Sequence, residues 1–258
     1  MRKLLFQCVS CGYQASVTAG TIFQDTRKPL RLWFRMAWWL TGQKTGASAL
    51  GLQQSLGLGS YTTAWTWLHK LRRAMVRPGR DRLSGKLEVD ETYVTCSSGT
   101  VRCQGKTRKA LVVIAVEERG KGIGRIRMKA IDNASAKTLR EFITETIQPG
   151  SVIHTDGCDG YAWLAGSGYY HDATVMDGRQ AELAVRLLPR VHLVAALLKR
   201  WLLGTHQGAV SYRYLDYYLD EFTFRFNRRG SRHRGKLFYR LLQQAVAIDP
   251  VPHKEITR

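Results

Sequence analysis

The order of hydrophobic patterns in the middle of the chain constrains its fold more than any other feature. Residues 87–94 and 110–116 are short apolar runs rich in β-branched side chains, and residues 124–131 alternate Ile and Met with Arg and Lys. All three are predicted strands. Residues 136–147 have the apolar spacing of a helix, and residues 151–155 form a fourth predicted strand. The sequence therefore predicts an α/β protein with a mixed sheet and flanking helices.

Three strands in a meander, a helix, and a strand paired beside the first make up the order of a ribonuclease-H-like core. In that order the first and fourth strands are neighbours, so their ends would bring Asp90 close to Asp156. Both residues stand in short acidic signatures, Val-Asp-Glu-Thr-Tyr and His-Thr-Asp-Gly, at the ends of two strand-like runs. Other α/β folds share this element order. Taken singly, an Asp at a strand end is more often a turn or cap residue.

The two acidic signatures lie in a strongly basic chain, with a formal net charge of +20. A basic protein gains affinity for nucleic acid by displacing counterions from phosphates, so the expected partner is DNA or RNA. An anionic membrane surface is disfavoured because the basic residues are spread over several predicted elements. Carboxylates in such a surface are explained if they hold a divalent cation. Paired divalent metals promote phosphoryl transfer, and Mg²⁺ needs few protein oxygens.

The apolar segments indicate a protein of the cytoplasm. Residues 30–40 are interrupted by Arg31 and Arg35, so this segment is too short and too charged to span a bilayer. The first residues do not continue into a secretion signal. The five cysteines are odd in number and fit reduced thiols better than a disulfide framework. We expect a cytoplasmic, nucleoid-associated protein without a membrane partner.

The first third of the chain has the composition of a DNA-facing module. Residues 1–80 carry 12 Lys and Arg and a single acid. Residues 47–56 and 61–75 show helical apolar spacing on either side of a Gly-Leu-Gly turn, which predicts a helix-turn-helix. Arg72 and Arg73 on the later helix are the expected DNA contacts. The alternative is an ordinary helical hairpin packed on a core.

The C-terminal part contains two further predicted helices and a basic run. Residues 191–204 are an apolar helix that carries Lys199 and Arg200, both of which are expected to bind DNA, and residues 212–226 form the next helix. Seven Lys or Arg and no acid lie between residues 222 and 240, which predicts phosphate contact over a solvated basic face. The expected DNA-binding side chains of this run are Arg225, Arg228, Arg229 and Arg232.

Four segments, taken in order, resemble the bacterial insertion-sequence transposases of the DDE superfamily that have an ISXO2-like catalytic domain. The segments are residues 89–93, 155–157, 198–206 and, above all, the run Tyr-Leu-Asp-Glu-Phe-Thr-Phe-Arg-Phe-Asn-Arg-Arg at 218–229. The resemblance implies a ribonuclease-H-like nuclease domain that cuts transposon ends and joins them to target DNA. Such domains use two Asp and a third ligand to hold metal, and the Asp pair carries over to Asp90 and Asp156.

The resemblance also implies a third metal ligand. Lys199, two turns after His192 on the same helical face, is the expected catalytic lysine and would contact a phosphate near the scissile bond. Many relatives have a Glu seven residues before a Lys, and here the residue seven positions before Lys199 is His192. Because neutral imidazole carries no negative charge, the site should hold Mg²⁺ less firmly than three carboxylates and accept Mn²⁺ readily. Without the resemblance, His192 is interpreted as a packed core histidine. Glu221 is the competing third ligand, and we expect it to pair instead with an Arg of the basic run.

The N-terminus resembles part of a zinc ribbon. Cys8 and Cys11 match its second knuckle, whereas relatives place another Cys-x-x-Cys upstream. We therefore expect the chain to begin inside the ribbon and to form no complete Zn²⁺ site. The expected layout is a zinc-ribbon remnant at 1–22, a helical DNA-binding module at 23–80, a catalytic domain at 81–240 and a C-terminal tail at 241–258.

These observations together predict a DNA transposase. It would bind insertion-sequence ends in double-stranded DNA as a homo-oligomer and catalyse metal-dependent strand cleavage and strand transfer. Two alternatives stay open at this stage. One is a structure-specific nuclease of the same fold, which would not join strands. The other is a truncated, inactive derivative that binds DNA and represses an intact transposase.

Overall fold

The computed structural model describes residues 5–77, 79–97, 107–174 and 187–257. The chain divides into two compact units. Arg80–Arg229 forms the first, and Met1–Gly79 together with Gly230–Arg258 forms the second. The first unit ends before residue 240, the predicted end of the catalytic domain. Within the described ranges no helix is long and apolar enough to cross a membrane.

The secondary structure is numbered in chain order. The strands are β1 Leu5–Gln7, β2 Gln14–Ser16, β3 Lys86–Ser97, β4 Thr107–Arg119, β5 Gly122–Ile131, β6 Val152–Thr155 and β7 Tyr170–Ala173. The α-helices are α1 Leu30–Gly42, α2 Ala49–Leu56, α3 Tyr61–Arg73, α4 Ala136–Thr146, α5 Pro189–His206, α6 Leu215–Phe226, α7 Arg234–Val246 and α8 His253–Thr257. Short 3₁₀ helices lie at Asp159–Leu164 and Tyr212–Tyr214.

The first unit is built on a five-stranded sheet with the order β5-β4-β3-β6-β7. Strands β3, β4 and β5 pair antiparallel, whereas β6 runs parallel to both β3 and β7. The α/β class and the mixed sheet are therefore confirmed, and so is the pairing of the first and fourth predicted strands. Strand β7 was not predicted because its four residues, Tyr-His-Asp-Ala, show no apolar alternation.

Helices cover both faces of this sheet. Because side chains alternate along a strand, Val94 and Cys96 of β3 lie on one face and Leu87 and Val89 on the other. The first face packs against α5 and α6. The second packs against α4 and the 3₁₀ helix at Asp159–Leu164. Glu88 and Asp90 of β3 therefore lie on the face that packs against α5 and α6. Glu91 lies on the opposite face, which packs against α4 and the 3₁₀ helix.

The segment at the end of α6 satisfies backbone groups of the edge strand β5. Asn227 accepts a hydrogen bond from the Ile126 N–H at 2.7 Å and donates one to the Ile126 carbonyl at 3.1 Å. Asp216 accepts from the Ala130 N–H at 3.0 Å. An exposed strand edge is a template for pairing with another chain. These side chains occupy that edge, as a further strand would.

The second unit contains the small β1–β2 hairpin and a set of helices. Trp33 of α1 stacks on Trp67 of α3 with 3.9 Å between ring centroids. Helices α2 and α3 are joined by a turn that starts at Gly57, whose φ of +62° favours glycine. These two helices match the predicted pair. Helix α7, which packs on α1, was not predicted, because its sequence was interpreted as part of a basic run and a tail.

Candidate active site

The sheet places the two predicted catalytic carboxylates side by side. Strands β3 and β6 run parallel, and Glu88 lies opposite His154 in their register. Asp90 and Asp156 each follow by two residues, so both lie at the same end of neighbouring strands. Their charges interact, since Asp156 raises the pKa of Asp90. The predicted proximity of the two acids is confirmed.

Asp156 is oriented by the turn that ends β6. Its Oδ1 accepts a hydrogen bond from the Cys158 N–H at 3.1 Å, and the Gly157 N–H donates to Thr155 Oγ1 at 3.1 Å. Gly157 has a φ of +75°, which a residue with a side chain adopts at a cost. The Asp-Gly dipeptide therefore turns the chain sharply and fixes the carboxylate at the strand end.

Asp90 is surrounded by the other predicted site residues. Burial is the largest effect on its pKa and raises it, and the charge of Asp156 also raises it. The Glu91 backbone N–H, the nearby His192 and Lys199 lower it. The Glu91 N–H donates to Asp90 Oδ1 at 2.7 Å. A carboxyl group that is costly to ionise gains from any cation placed beside it. Asp156, His192 and Lys199 are thus all within electrostatic reach of one carboxylate.

His192 faces Asp90 without bonding to it. The distance from His192 Nε2 to Asp90 Oδ2 is 3.8 Å, which is too long for a hydrogen bond. Nε2 is buried and has no hydrogen-bond partner among the residues that the structure describes. An unsatisfied buried nitrogen beside a carboxylate suits a metal ligand. Lys199, two helical turns further along α5, is exposed.

The residue types fit a divalent cation, although the side chains are not close enough together to form a complete coordination shell. Two Asp carboxylates and an imidazole are ligands that Mg²⁺ or Mn²⁺ accepts. Among the described residues, however, no three His, Cys, Asp or Glu side chains are close enough together to hold a metal ion. The fit therefore rests on the desolvated carboxyl of Asp90 and the unsatisfied Nε2 of His192.

Sequence reasoning missed Glu88, which is completely buried. Its carboxylate accepts hydrogen bonds from the Arg190 and Val191 backbone N–H groups at 2.7 and 2.8 Å and from the Arg190 side chain at 2.8 Å. Glu88 is on the same face of β3 as Asp90. The only sequence signal for this role was a carboxylate inside an apolar run. Its partner, Arg190, lies 102 residues further along the chain.

Glu91 and Tyr161 form a second pair that was missed. Glu91 points to the opposite face of β3 from Asp90, where the buried Tyr161 hydroxyl donates to its carboxylate. Burial raises the pKa of Glu91 to about 7, the Tyr161 hydrogen bond lowers it, and the charges of Asp90 and Asp156 raise it. Tyr161 belongs to the 3₁₀ helix just after Asp156, so the pair ties that loop to β3.

Glu221, the competing third ligand, is occupied elsewhere. It is fully buried on α6, and its Oε1 accepts from Arg225 Nε at 2.8 Å and lies 2.8 Å from Arg225 Nη2. The predicted pairing of Glu221 with an Arg of the basic run is confirmed. Its carboxylate is neutralised by that guanidinium, whereas His192 is the residue that faces Asp90.

The prediction that Arg72 contacts DNA is wrong, because its side chain is 1 % exposed. Helix α3 buries Ala64 and Leu68, and Arg72 continues that stripe at a spacing of four residues. Arg73 is partly buried, whereas Lys199, Arg200 and Arg232 are exposed.

Three arginines of the predicted DNA-binding run have intramolecular contacts. Arg225 pairs with Glu221. Arg228 lies over the Phe224 ring at 4.0 Å and donates to the Phe224 carbonyl at 3.2 Å. Arg229 donates to the Gly124 carbonyl at 3.3 Å and also to the Ile123 carbonyl. Arg225 and Arg228 are half-buried, whereas Arg229 is exposed.

The N-terminal hairpin holds the predicted zinc ligands at the surface. Strands β1 and β2 pair antiparallel, and the turn between them contains the exposed Cys8 and Cys11. The Gly12 N–H donates to the Cys8 carbonyl at 3.0 Å. The pKa of Cys8 is lowered to about 6, chiefly by its hydrogen bond with the Ser10 side chain.

Residues 82–227 match the ISXO2-like transposase domain. Since this is more than half of the chain, the chain belongs to that family and is a DNA transposase, an enzyme of the nucleotidyl-transferase type. Transposases of the DDE type normally use divalent metal ions.

One curated protein and two solved transposase structures are also similar to this chain. The chain is 27% identical over 248 residues to an uncharacterized protein in transposable element ISH50 of Halobacterium salinarum, an alignment that covers 90% of this chain and 80% of the relative. A pre-cleavage Mos1 transpososome covers 89% of this chain and 82% of its own, at 11% identity and a TM-score of 0.30. The Mos1 strand transfer complex covers 86% and 81%, at 10% identity and a TM-score of 0.30. The assignment rests on the family match.

Proposed function

We propose that the unit Arg80–Arg229 is a ribonuclease-H-like nuclease domain that cleaves insertion-sequence ends and joins them to target DNA with a divalent metal. The observation that carries this proposal is the meeting of Asp90 and Asp156 at one end of two parallel strands, with His192 facing Asp90. The strand order β5-β4-β3-β6-β7, with α4 between β5 and β6, supports the fold.

Asp90, Asp156 and His192 would hold the metal, and each has a separate means of orientation. Asp156 is fixed by its turn, Asp90 by the sheet and the Glu91 N–H, and His192 by the start of α5. When bound, divalent metals activate the attacking oxygen and stabilise charge on the leaving oxygen. Because a neutral imidazole replaces a carboxylate, Mn²⁺ should serve this site readily.

Lys199 would contact a phosphate beside the scissile bond. It is exposed and lowers the pKa of Asp90, so its ammonium group lies within electrostatic reach of the proposed metal site. Arg200 and Arg232 are also exposed and would bind the DNA backbone. Each phosphate contact would contribute to a salt-dependent affinity without reading the base sequence.

The second unit would recognise the ends of the element. The helix pair α2 and α3, joined by its turn, supports a helix-turn-helix. With Arg72 buried, readout would fall to exposed residues at the start of α3, such as Tyr61 and Thr62. That position agrees with DNA-binding helices that contact bases through their N-terminal residues.

A coupled cleavage and joining assay tests the proposal. Purified full-length protein is incubated with labelled DNA carrying the element's terminal repeat, a target plasmid and Mg²⁺ or Mn²⁺. A transposase yields both cut ends and ends joined to the plasmid. Cutting without joined product would indicate a structure-specific nuclease, and binding without cutting would indicate an inactive DNA-binding derivative.

A further inference from the structure

Near the proposed site, Glu88 is a buried carboxylate whose two oxygens both accept hydrogen bonds. It has no exposed surface and makes three hydrogen bonds with α5. Oε2 accepts the backbone N–H groups of Arg190 and Val191, and Oε1 accepts Arg190 Nη1. Charge-assisted bonds of this kind are among the strongest in proteins.

These bonds satisfy the beginning of a helix that has no cap of its own. Helix α5 starts at Pro189, and the preceding Leu188 provides no side-chain hydrogen bond. The first N–H groups of a helix lack intrahelical partners, and a negative charge beside them is favourable. Glu88 supplies both the acceptor and the charge from a neighbouring strand. The first turn of α5 is therefore anchored to β3.

The Arg190 side chain extends this anchor to the hairpin between β4 and β5. Its Nη2 donates to the Gly120 carbonyl at 3.0 Å and its Nε to the Gly122 carbonyl at 3.3 Å. Nη1 also lies 3.4 Å from the Glu118 carboxylate. One guanidinium thus links the strand, the helix and the hairpin.

The anchor lies in register with the proposed metal ligands. Glu88 and Asp90 are two residues apart on one face of β3, and Arg190 and His192 are two residues apart at the start of α5. The fixed backbone atoms belong to residues 190 and 191, immediately before His192. The Glu88 bonds therefore limit how far the His192 ring can move from Asp90.

We propose that Glu88 and Arg190 are positioning residues, which hold His192 against Asp90 and so set the affinity of the site for divalent metal. This inference rests on the proposed function, because it takes His192 as a ligand. Neither residue is assigned a contact with metal or DNA. Partners that orient a ligand typically change metal affinity by about 10–100-fold when they are removed.

The test is Mn²⁺ binding to the full-length protein without DNA, measured by titration calorimetry. Glu88→Gln keeps an acceptor for the N–H groups but loses the charge, and Arg190→Lys keeps a positive charge but loses the fork. Each variant should bind Mn²⁺ about 10–100-fold more weakly. Glu117→Gln is the matched control, since Glu117 also pairs with an arginine, Arg125, in the same unit. The control should bind Mn²⁺ like the wild type.

A double-mutant cycle separates positioning from a general loss of stability. If the anchor acts through His192, then Arg190→Lys in a His192→Ala background should weaken Mn²⁺ binding no further. A merely destabilising change would lower the melting temperature and add its effect to that of His192→Ala. Additive losses, or wild-type affinity in the folded Arg190→Lys variant, would overturn the inference. Arg190→Lys decides the matter if Glu88→Gln does not fold.

The same titration tests the positioning role of Glu88 and Arg190 separately from the proposed metal site. Asp90→Asn and His192→Ala must each weaken Mn²⁺ binding if the proposed metal site is correct. Should both do so while Arg190→Lys and Glu88→Gln bind normally, only the positioning role fails. Should Asp90→Asn bind Mn²⁺ like the wild type, the proposed metal site fails, and the positioning role fails with it.

Discussion

His192 Nε2 lies 3.8 Å from Asp90 Oδ2 across the contact between α5 and β3. The separation exceeds a hydrogen bond, and the imidazole nitrogen is buried without a hydrogen-bond partner among the described residues. Leaving a buried polar atom unsatisfied costs about 1–3 kcal/mol, which a protein recovers where the atom has a ligand to bind. This relationship motivates the first two predictions.

Asp90→Asn and Asp156→Asn should each reduce cleavage of end-containing DNA by more than about tenfold and leave DNA binding nearly unchanged, because the lost groups are ligands and not phosphate contacts. Cleavage on a labelled end and binding by gel shift measure the two effects. Glu145→Gln is a suitable control, since Glu145 is an exposed acid of the same unit. Cleavage close to the wild-type rate in either Asn variant would remove that Asp from the site.

The metal requirement should distinguish His192 from Glu221. His192→Glu should retain or improve Mg²⁺-dependent cleavage because it adds a negative charge, whereas His192→Ala should lose cleavage and regain part of it at high Mn²⁺. Cleavage is measured against Mg²⁺ and Mn²⁺ concentration.

Glu221→Gln serves as the comparison in the same experiment. It breaks a buried ion pair, so it should lower the free energy of unfolding by about 3–5 kcal/mol without changing the metal requirement. A strongly right-shifted metal curve for Glu221→Gln, beside an unaffected His192→Ala, would move the third ligand to Glu221.

Asp220 should make the stability of the protein depend on pH. Burial raises its pKa to about 7, although the nearby Arg80 lowers it. The unfolded Asp has a pKa near 3.9, so between about pH 4 and pH 7 the folded state holds more protons. The stabilisation from this group is complete below pH 4 and is lost as pH rises through 7.

Asp220→Asn should remove this dependence. Relative to the wild type, its melting temperature should rise as the pH is increased from about 5 to about 8. Thermal unfolding over that range, with the exposed-acid variant Glu145→Gln beside it, measures the effect. A constant difference in melting temperature between Asp220→Asn and the wild type would contradict the raised pKa.

Asn227 should be needed for a stable, non-associating sheet edge. Asn227→Ala leaves the N–H and the carbonyl of Ile126 without the side-chain partners they have now. We expect a loss of about 1–3 kcal/mol and a tendency to self-associate through β5. Asn227→Asp keeps the acceptor and loses the donor, so its effect should be smaller. Chemical unfolding and light scattering report the two effects, and equal behaviour of both variants would argue against the edge-capping role.

The sequence by itself determined four of the five strands in the first unit and the order of its three α-helices. The periodicity of residues 87–94, 110–116, 124–131 and 151–155 predicts strands that the structure contains. Hydrophobic alternation is a local property, so it can be read before the chain is folded. The expectation that Asp90 and Asp156 meet follows from that order. In the second unit, the Gly-Leu-Gly run between two helical patterns predicts the turn that starts at Gly57.

Only the tertiary structure decided what the charged side chains do. Arg72 and Arg228 are arginines in basic segments, yet Arg72 is buried in a helical stripe and Arg228 lies over the Phe224 ring of the preceding helix α6. Glu88 anchors a helix that is 102 residues away. A charge pattern records how many ions a segment carries, whereas their partners come from elements that become neighbours only when the chain folds. For that reason a local pattern predicted the strands, and only the folded structure showed the Glu88–Arg190 anchor.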